Sequence, residues 1–378
     1  VSFYRKDHHE NQFEPQSLLK ALQHSNNIIE RRTTVPILAN ILIDATGEDQ
    51  VLFTSTDLEI SIVETVPAAI EAKGRITVSG KMLHDIVRKL PGDVEIFLSL
   101  NEEGSRLSVE SGKSHFELSV LSPDDYPAVT IAELPNTFSI PAKTLLSLFD
   151  RTAFAMSTEE TRYYLNGIYM HATEDGKLRA VATDGHRMAR MQAPLPKGAE
   201  GIPGVIISRK TISQIQDMAS DTDQDIKISL SETQISARFE NAYLISRLVD
   251  GQFPEYERVV PKNADKSFSF NPSYMATVVD RVATMASEKT HGVKLAIDKG
   301  RISFSADGSG FGTADEEMSI EYGAAPVSIG FNSKYLLDVT DKMNGKDAEM
   351  SFSDEASPVM IQGVEEKEAM YVLMPMRI

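Results

Sequence analysis

Apolar positions along this chain follow two rhythms, one helical and one strand-like, and the same succession of them comes round three times. The first marker is a short extended apolar stretch running into helical spacing. It reads FEPQSLLKALQHS from Phe13, IPAKTLLSLFDRT from Ile140 and FNPSYMATVVDRV from Phe270. An Asp-Arg pair falls in register in the last two copies, Asp150-Arg151 and Asp280-Arg281, and His24 takes the arginine's place in the first. The second marker is a strand followed by an amphipathic helix: ITVSGKMLHDIVRKL, VIISRKTISQIQDMA and SIGFNSKYLLDVTDKM. A lysine stands at each junction, Lys81, Lys210 and Lys334. Behind it Leu83 and Ile86, Ile212 and Ile215, and Leu336 and Val339 start one buried face, which the pattern continues to Leu90, Ala219 and Met343. The third marker alternates apolar and polar residues about a short turn, as in VEIFLSLNEEGSRLSVES, IKISLSETQISARFEN and AEMSFSDEASPVMIQG.

The period is roughly 126 residues, one third of the 378-residue chain. The pattern predicts three copies of one α+β unit, each with two helices packed on antiparallel strands. Solenoid repeats are far shorter, and each copy here is long enough to hold its own core. Boundaries fall in the Pro-containing stretches SPDDYPAVTIAELPN and FPEYERVVPKNADK, giving domains at 12–134, 135–262 and 263–378. Residues 1–11, polar and rich in charge and histidine, read as a disordered leader. Three similar units in one chain suggest a pseudo-symmetric arc, and two arcs head to tail would place six units around one hole.

Composition narrows the chemistry. The net charge is −17, which taken alone argues against nucleic acid. Charges are screened beyond ~8 Å at physiological salt, so a local basic face survives that objection. There are no cysteines, which excludes disulfides, thiolate metal sites and cysteine nucleophiles and fits a reducing, cytoplasmic setting. No apolar run is long enough to span a membrane. None of the eight histidines forms an HxxxH or HExxH pair, and neither GxxxxGK[ST] nor GxGxxG occurs, so no metal and no cofactor is expected. GSGFG at 308–312 reads as a flexible loop.

Two features carry candidate chemistry. The repeated lysines sit on helices related by pseudo-symmetry, together with Arg151 and Arg281, and would approach phosphates without reading bases; a mixed solvated face is the plain alternative. ATDGHRMA concentrates polar groups: Asp184 and His186 would serve a hydrolase as an acid–base pair, but neighbouring side chains on a turn rarely aim together, and a structural turn is the favoured reading. The terminus YVLMPMRI is apolar to its end, either a final core strand or one wall of an adaptable peptide pocket.

STDLEI (Ser55–Ile60), RYYLNGI (Arg162–Ile168), ATDGHRMA, VDGQFPEYERVVPKN (Val249–Asn263), IGFNSKYLLDV (Ile329–Val339) and YVLMPMRI together resemble the bacterial beta sliding clamp family over nearly the whole chain from Gln12. The resemblance implies the DNA-clamp fold, a head-to-tail homodimer of six domains enclosing double-stranded DNA without sequence preference, and an accessory role in polymerase processivity rather than catalysis. It implies as partners the replicative polymerase catalytic subunit, a clamp loader, and other polymerases and repair proteins carrying a short clamp-binding peptide. The family's peptide groove falls on Leu165, Thr183, Gly185, His186, Arg187, Met188, Pro254, Arg258 and Val259, with Pro358 and Val359 at a rim, and on Val372, Leu373, Met374, Pro375, Met376 and Arg377. Its His and Arg would orient the peptide's backbone or carboxylates. DNA contacts map to Arg32, Lys81, Arg88, Tyr163, Tyr164, Arg209 and Lys210. The dimer seam maps to Phe116 and Leu118 against Thr284 and Met285.

Overall fold

The computed structural model describes residues 11–30, 34–101, 103–131, 133–308, 310–343 and 347–377. Its first third runs β1 (Asn11–Phe13), α1 (Pro15–Ile28), β2 (Asn40–Asp44), β3 (Gln50–Thr56), β4 (Ile60–Ala69), β5 (Arg75–Ser79), α2 (Gly80–Val87), β6 (Ile96–Leu100), β7 (Arg106–Ser111) and β8 (Ser114–Leu121). The same order returns as β9 (Asn136–Pro141), α3 (Ala142–Asp150), β10 (Gly167–Ala172), β11 (Lys177–Thr183), β12 (Arg187–Pro194), β13 (Val205–Ser208), α4 (Arg209–Ser220), β14 (Asp225–Leu230), β15 (Gln234–Arg238) and β16 (Ala242–Arg247). It returns again as β17 (Lys266–Phe270), α5 (Pro272–Ala283), β18 (Gly292–Asp298), β19 (Arg301–Asp307), β20 (Thr313–Ser319), β21 (Val327–Asn332), α6 (Ser333–Asp341), β22 (Ala348–Phe352), β23 (Val359–Gly363) and β24 (Ala369–Leu373).

Local chemistry explains where the helices begin. The Glu14 carboxylate accepts from the amides of Gln16 and Ser17 at 3.2 and 2.6 Å, and Pro15 fills the first turn, where its missing donor costs nothing. Ser79, Ser208, Asn271 and Asn332 cap α2, α4, α5 and α6 in the same way. Each cap satisfies amides that the helix leaves open and contributes about 1 kcal/mol.

Contacts divide the chain into two compact units, Val1–Ala142 with Ser213–Leu248, and Lys143–Ile212 with Val249–Ile378. The first contains one antiparallel sheet of twelve strands in the order β1-β6-β7-β8-β5-β2-β3-β4-β16-β15-β14-β9. Its core gathers Phe13, Leu18 and Leu22 against Phe53, Val78, Leu83, Leu98 and Val109. Burying each such side chain contributes roughly 1.5–3 kcal/mol. The second unit holds an eight-stranded sheet, β13-β10-β11-β12-β24-β23-β22-β17, and a four-stranded one, β20-β19-β18-β21, both antiparallel.

Four expectations change. Residues 1–10 lie outside the described residues, but Asn11, assigned to the leader, already pairs with Leu98 in β1. The buried face of α2 is Leu83 and Val87, because Ile86 is only half-buried and the helix stops at Val87 before Leu90. Met343 is buried, yet it lies past the end of α6 at Asp341. Arg151, read as surface, is buried and bonded through both terminal nitrogens to Glu366, at 2.9 and 2.8 Å.

Candidate functional site

In the second unit, the turn between β11 and β12 and the chain after β24 come together. Thr183 Oγ accepts from the amide of Gly185 at 3.1 Å and donates to the carbonyl of Arg187 at 2.6 Å. Gly185 holds a φ of 88°, and a Cβ there would stand 2.6 Å from Arg162 Nη1, so glycine is what the turn admits. Asp184 accepts from the amides of His186 and Arg187 at 2.9 and 3.0 Å and from Arg187 Nε at 3.0 Å. Its carboxylate is thereby committed to the turn, while the His186 ring lies over Tyr335 with centroids 6.4 Å apart. The acid–base pair needed for hydrolysis is therefore not assembled.

Arg187 is also occupied. Besides Asp184 it bonds Asp338 and the carbonyl of Phe154, the latter at 2.7 Å, and its guanidinium lies 4.4 Å from the Tyr335 ring centroid. It braces the turn instead of presenting free donors to a peptide, which corrects the direct orienting role expected of it. Neither Tyr335 nor Asp338 was given a part in the groove from the sequence, and Phe154 was not singled out at all. The first two stand inside the quoted IGFNSKYLLDV, and their signal was an aromatic and an acid on the outer side of a short helix.

Beneath the turn, Leu165, Met188 and Val372 are buried in one cluster with Val181, Ile206, Phe253 and Tyr256. Strand pairing explains it: Met188 stands opposite Val372, and Arg187 opposite Leu373. These apolar candidates form a floor. The tail beyond is tied at two points, Met374 N to the His186 carbonyl and Met376 N to that of Gly330, both at 2.9 Å. Met374 and Arg377 are exposed, Pro375 and Met376 half-buried. Pro254, Val259 and Arg258 are exposed, Arg258 in an ion pair with Glu255. Pro358 is half-buried, but Val359 is fully buried opposite Leu373. Val359 therefore supports the tail strand and is no rim. An open cleft of about 1000 Å³ runs alongside, lined by Pro254, Arg258, Tyr169, His171, Arg179 and Lys262.

The cationic candidates are less concentrated than expected. Arg32 lies outside the described residues. Lys81 on α2 and Arg88 just past its end both reach Asp85, and the Lys81 ammonium holds that carboxyl below its usual range. Arg209 donates to the carbonyls of Met156 and Ser157 at 3.1 and 3.2 Å. Tyr163 is exposed and packs edge-on against Tyr164, and Arg162 beside them is bonded to Glu159. Lys81, Lys210 and Lys334 do recur as a structural position: each is exposed, in the first turn of α2, α4 and α6. A cation there opposes the helix dipole, so helix stability does not account for the recurrence. Among seam candidates, Phe116 and Thr284 are exposed, Met285 is half-buried and Leu118 is buried.

Among the described residues no group of three or more His, Asp or Glu side chains gathers as a metal ion would require, and no helix is long and apolar enough to cross a membrane.

Comparison with known proteins accounts for the threefold order. Sequence models of the DNA polymerase III beta subunit match in chain order: the N-terminal domain at residues 12–130, the central domain at 139–255 and the C-terminal domain at 257–377. The beta sliding clamp of Caulobacter vibrioides is 42% identical over 365 residues, 96% of this chain and 98% of that protein. That of Escherichia coli K12 is 34% identical over 368 residues, 97% and 99% of the two chains. A crystal structure of the Caulobacter crescentus clamp superposes with a TM-score of 0.94 at 42% identity, covering 98% of this chain and 99% of its own. The Bartonella birtlesii clamp bound to griselimycin also gives 0.94, at 40% identity and 98% and 100% coverage. With all three domains matched in order and relatives aligned almost end to end, the chain belongs to the DNA polymerase III beta subunit family, the beta sliding clamps.

Proposed function

We propose that two copies of this chain join head to tail into a six-domain ring around duplex DNA and hold the replicative polymerase there for processive synthesis. As a processivity subunit it is not itself catalytic. The domains proposed are 12–134, 135–262 and 263–378, in keeping with the three matched family segments. The observation that carries the reading is the one element order repeated three times, with a lysine at one equivalent helix position in each copy. Few weak phosphate contacts suit a ring that has to slide, since tight ones would anchor it.

The groove proposed for partner peptides is the ATDGHR turn, the tail from Val372 to Arg377 and the Pro254–Val259 edge, over a floor of Leu165, Met188 and Val372. Its Met, Pro and Leu give an apolar surface that adapts to different sequences. The polymerase catalytic subunit, a clamp loader and repair proteins carrying a short hydrophobic motif are the partners proposed, in the cytoplasm.

Two open strand edges support the head-to-tail seam. β20 is the edge of its sheet, and β8 is paired with β5 only at Val120 and Leu121, leaving one side open from Ser114 to Ser119. An open edge invites another strand. Phe116 and Leu118 stand on one, and Thr284 and Met285 follow α5, which packs on β20.

Retention on DNA tests the function. After loading, raised salt is expected to release the protein from linear duplex quickly and from closed circular duplex hardly at all. Equal release from both would sink the topological account.

A further inference from the structure

Among the described residues Phe311 is 94% exposed, far beyond the next large apolar side chain, Leu58, at 56%. It stands at the tip of the β19–β20 connection, flanked by Gly310 and Gly312 with φ of 106° and 145°. Gly308 N donates to the Gly312 carbonyl at 2.9 Å, and Phe311 N donates to the Gly308 carbonyl at 3.4 Å. The loop also lies tight against Met285: a Cβ on Gly312 would stand 2.8 Å from its terminal methyl, and one on Gly308 3.0 Å from its carbonyl oxygen. The glycines thus let the backbone close over Met285 and aim the aromatic ring outward. Covering the ring would remove its apolar surface from water, a gain of about 25 cal/mol per Å².

We infer that Phe311 is an anchor of the subunit interface, inserting against the open β8 edge of a second copy of this chain. The inference rests on the head-to-tail reading above and goes beyond its four seam residues. Continuity selects the occupant, because the loop packs on Met285, already placed at the seam, and leads straight into the open edge of β20. Strand geometry selects the place. If β20 adds antiparallel along the open stretch of β8, from Ser114 to Ser119, its start at Thr313 meets Ser119, two residues short of the exposed Leu121 of the partner subunit. Phe311, two residues earlier, then reaches Leu121 of the partner subunit. Aromatic rings, phenylalanine among them, are enriched in protein interfaces relative to the rest of the surface. Thr284 brings little apolar area to the seam, and Phe311 makes up for it.

The test uses the full chain with Phe311→Ser and Phe311→Leu, read by sedimentation equilibrium over a dilution series. F311S is expected to raise the dimer dissociation constant at least tenfold, and F311L to stay within about threefold of wild type. The side chain touches little within its own subunit, so far-UV circular dichroism and the urea midpoint of the monomer should not move. A dimeric wild type with unchanged F311S affinity overturns the role of Phe311 and leaves the seam standing. A wild type that is monomeric at every concentration overturns the seam itself. If F311S stays dimeric but loses binding to DNA or to lipid vesicles, the ring belongs to that ligand and the inference fails.

Discussion

His171 lies between the carbonyl of Ala172 and the hydroxyl of Tyr256, with a ring nitrogen 2.9 Å from each. The Tyr256 oxygen already accepts from Arg179 Nη1 at 3.0 Å, so its proton points to His171 Nε2. That network suits a neutral imidazole protonated at Nδ1. Burial pushes the histidine pKa down, and the Arg179 charge adds to the effect. The folded form therefore binds fewer protons than the unfolded chain as pH falls through ~6.5, and stability is lost in that direction. His84, also lowered by burial, adds in the same sense. Urea midpoints at pH 7.5 and 5.5 are expected to differ, lower at 5.5, with a smaller difference in His171→Gln. A variant slope as steep as wild type would place the titration elsewhere. Nothing in the sequence marked this cluster: Arg179 stands opposite His171 across the β10–β11 hairpin, but Tyr256 is 85 residues away and meets them only in the folded unit.

At the scale of elements, the six helices and the paired strands that follow them were legible because their apolar spacing repeats three times. What was not legible has physical causes. Helix ends depend on capping and on where neighbouring strands begin, so Leu90 and Met343 fell outside the helices to which spacing assigned them. The pairing of β4 with β16 joins strands almost two hundred residues apart, and no local pattern encodes it. Of the groove, the turn and the apolar tail stood out as anomalies, but the bracing of Arg187 by Asp338 and Phe154 needed coordinates. The tail now admits a direct test. Among the described residues its backbone ties beyond β24 are two hydrogen bonds, from Met374 and Met376, each contributing about 1 kcal/mol. Deleting Met374–Ile378 is expected to abolish binding of a short hydrophobic clamp-binding peptide in fluorescence polarisation while thermal stability changes little. Unchanged peptide affinity would put the groove elsewhere on the protein.

On the whole molecule a charge of −17 has to coexist with a strongly acidic polymer. Local pairing deepens the problem, since Asp85 meets both Lys81 and Arg88 and Glu159 holds Arg162. Attraction between chain and DNA is thus weak wherever acids accompany bases, and closure of the ring has to supply the residence time. On the proposed reading, the recurrent lysines would set only how strongly the ring feels phosphates, not whether it stays. Their separate contributions are measurable from counterion release, about 0.9 in the slope of log K against log salt for each phosphate contact. Replacing Lys81, Lys210 and Lys334 together by alanine is expected to flatten that slope on short linear duplex by up to about 0.9 for each lysine lost. Salt-resistant retention on closed circles should persist in the same variant. An unchanged slope would remove the three lysines from the DNA-facing surface, and release from circles at moderate salt would mean that charge, and not closure, holds the protein on DNA.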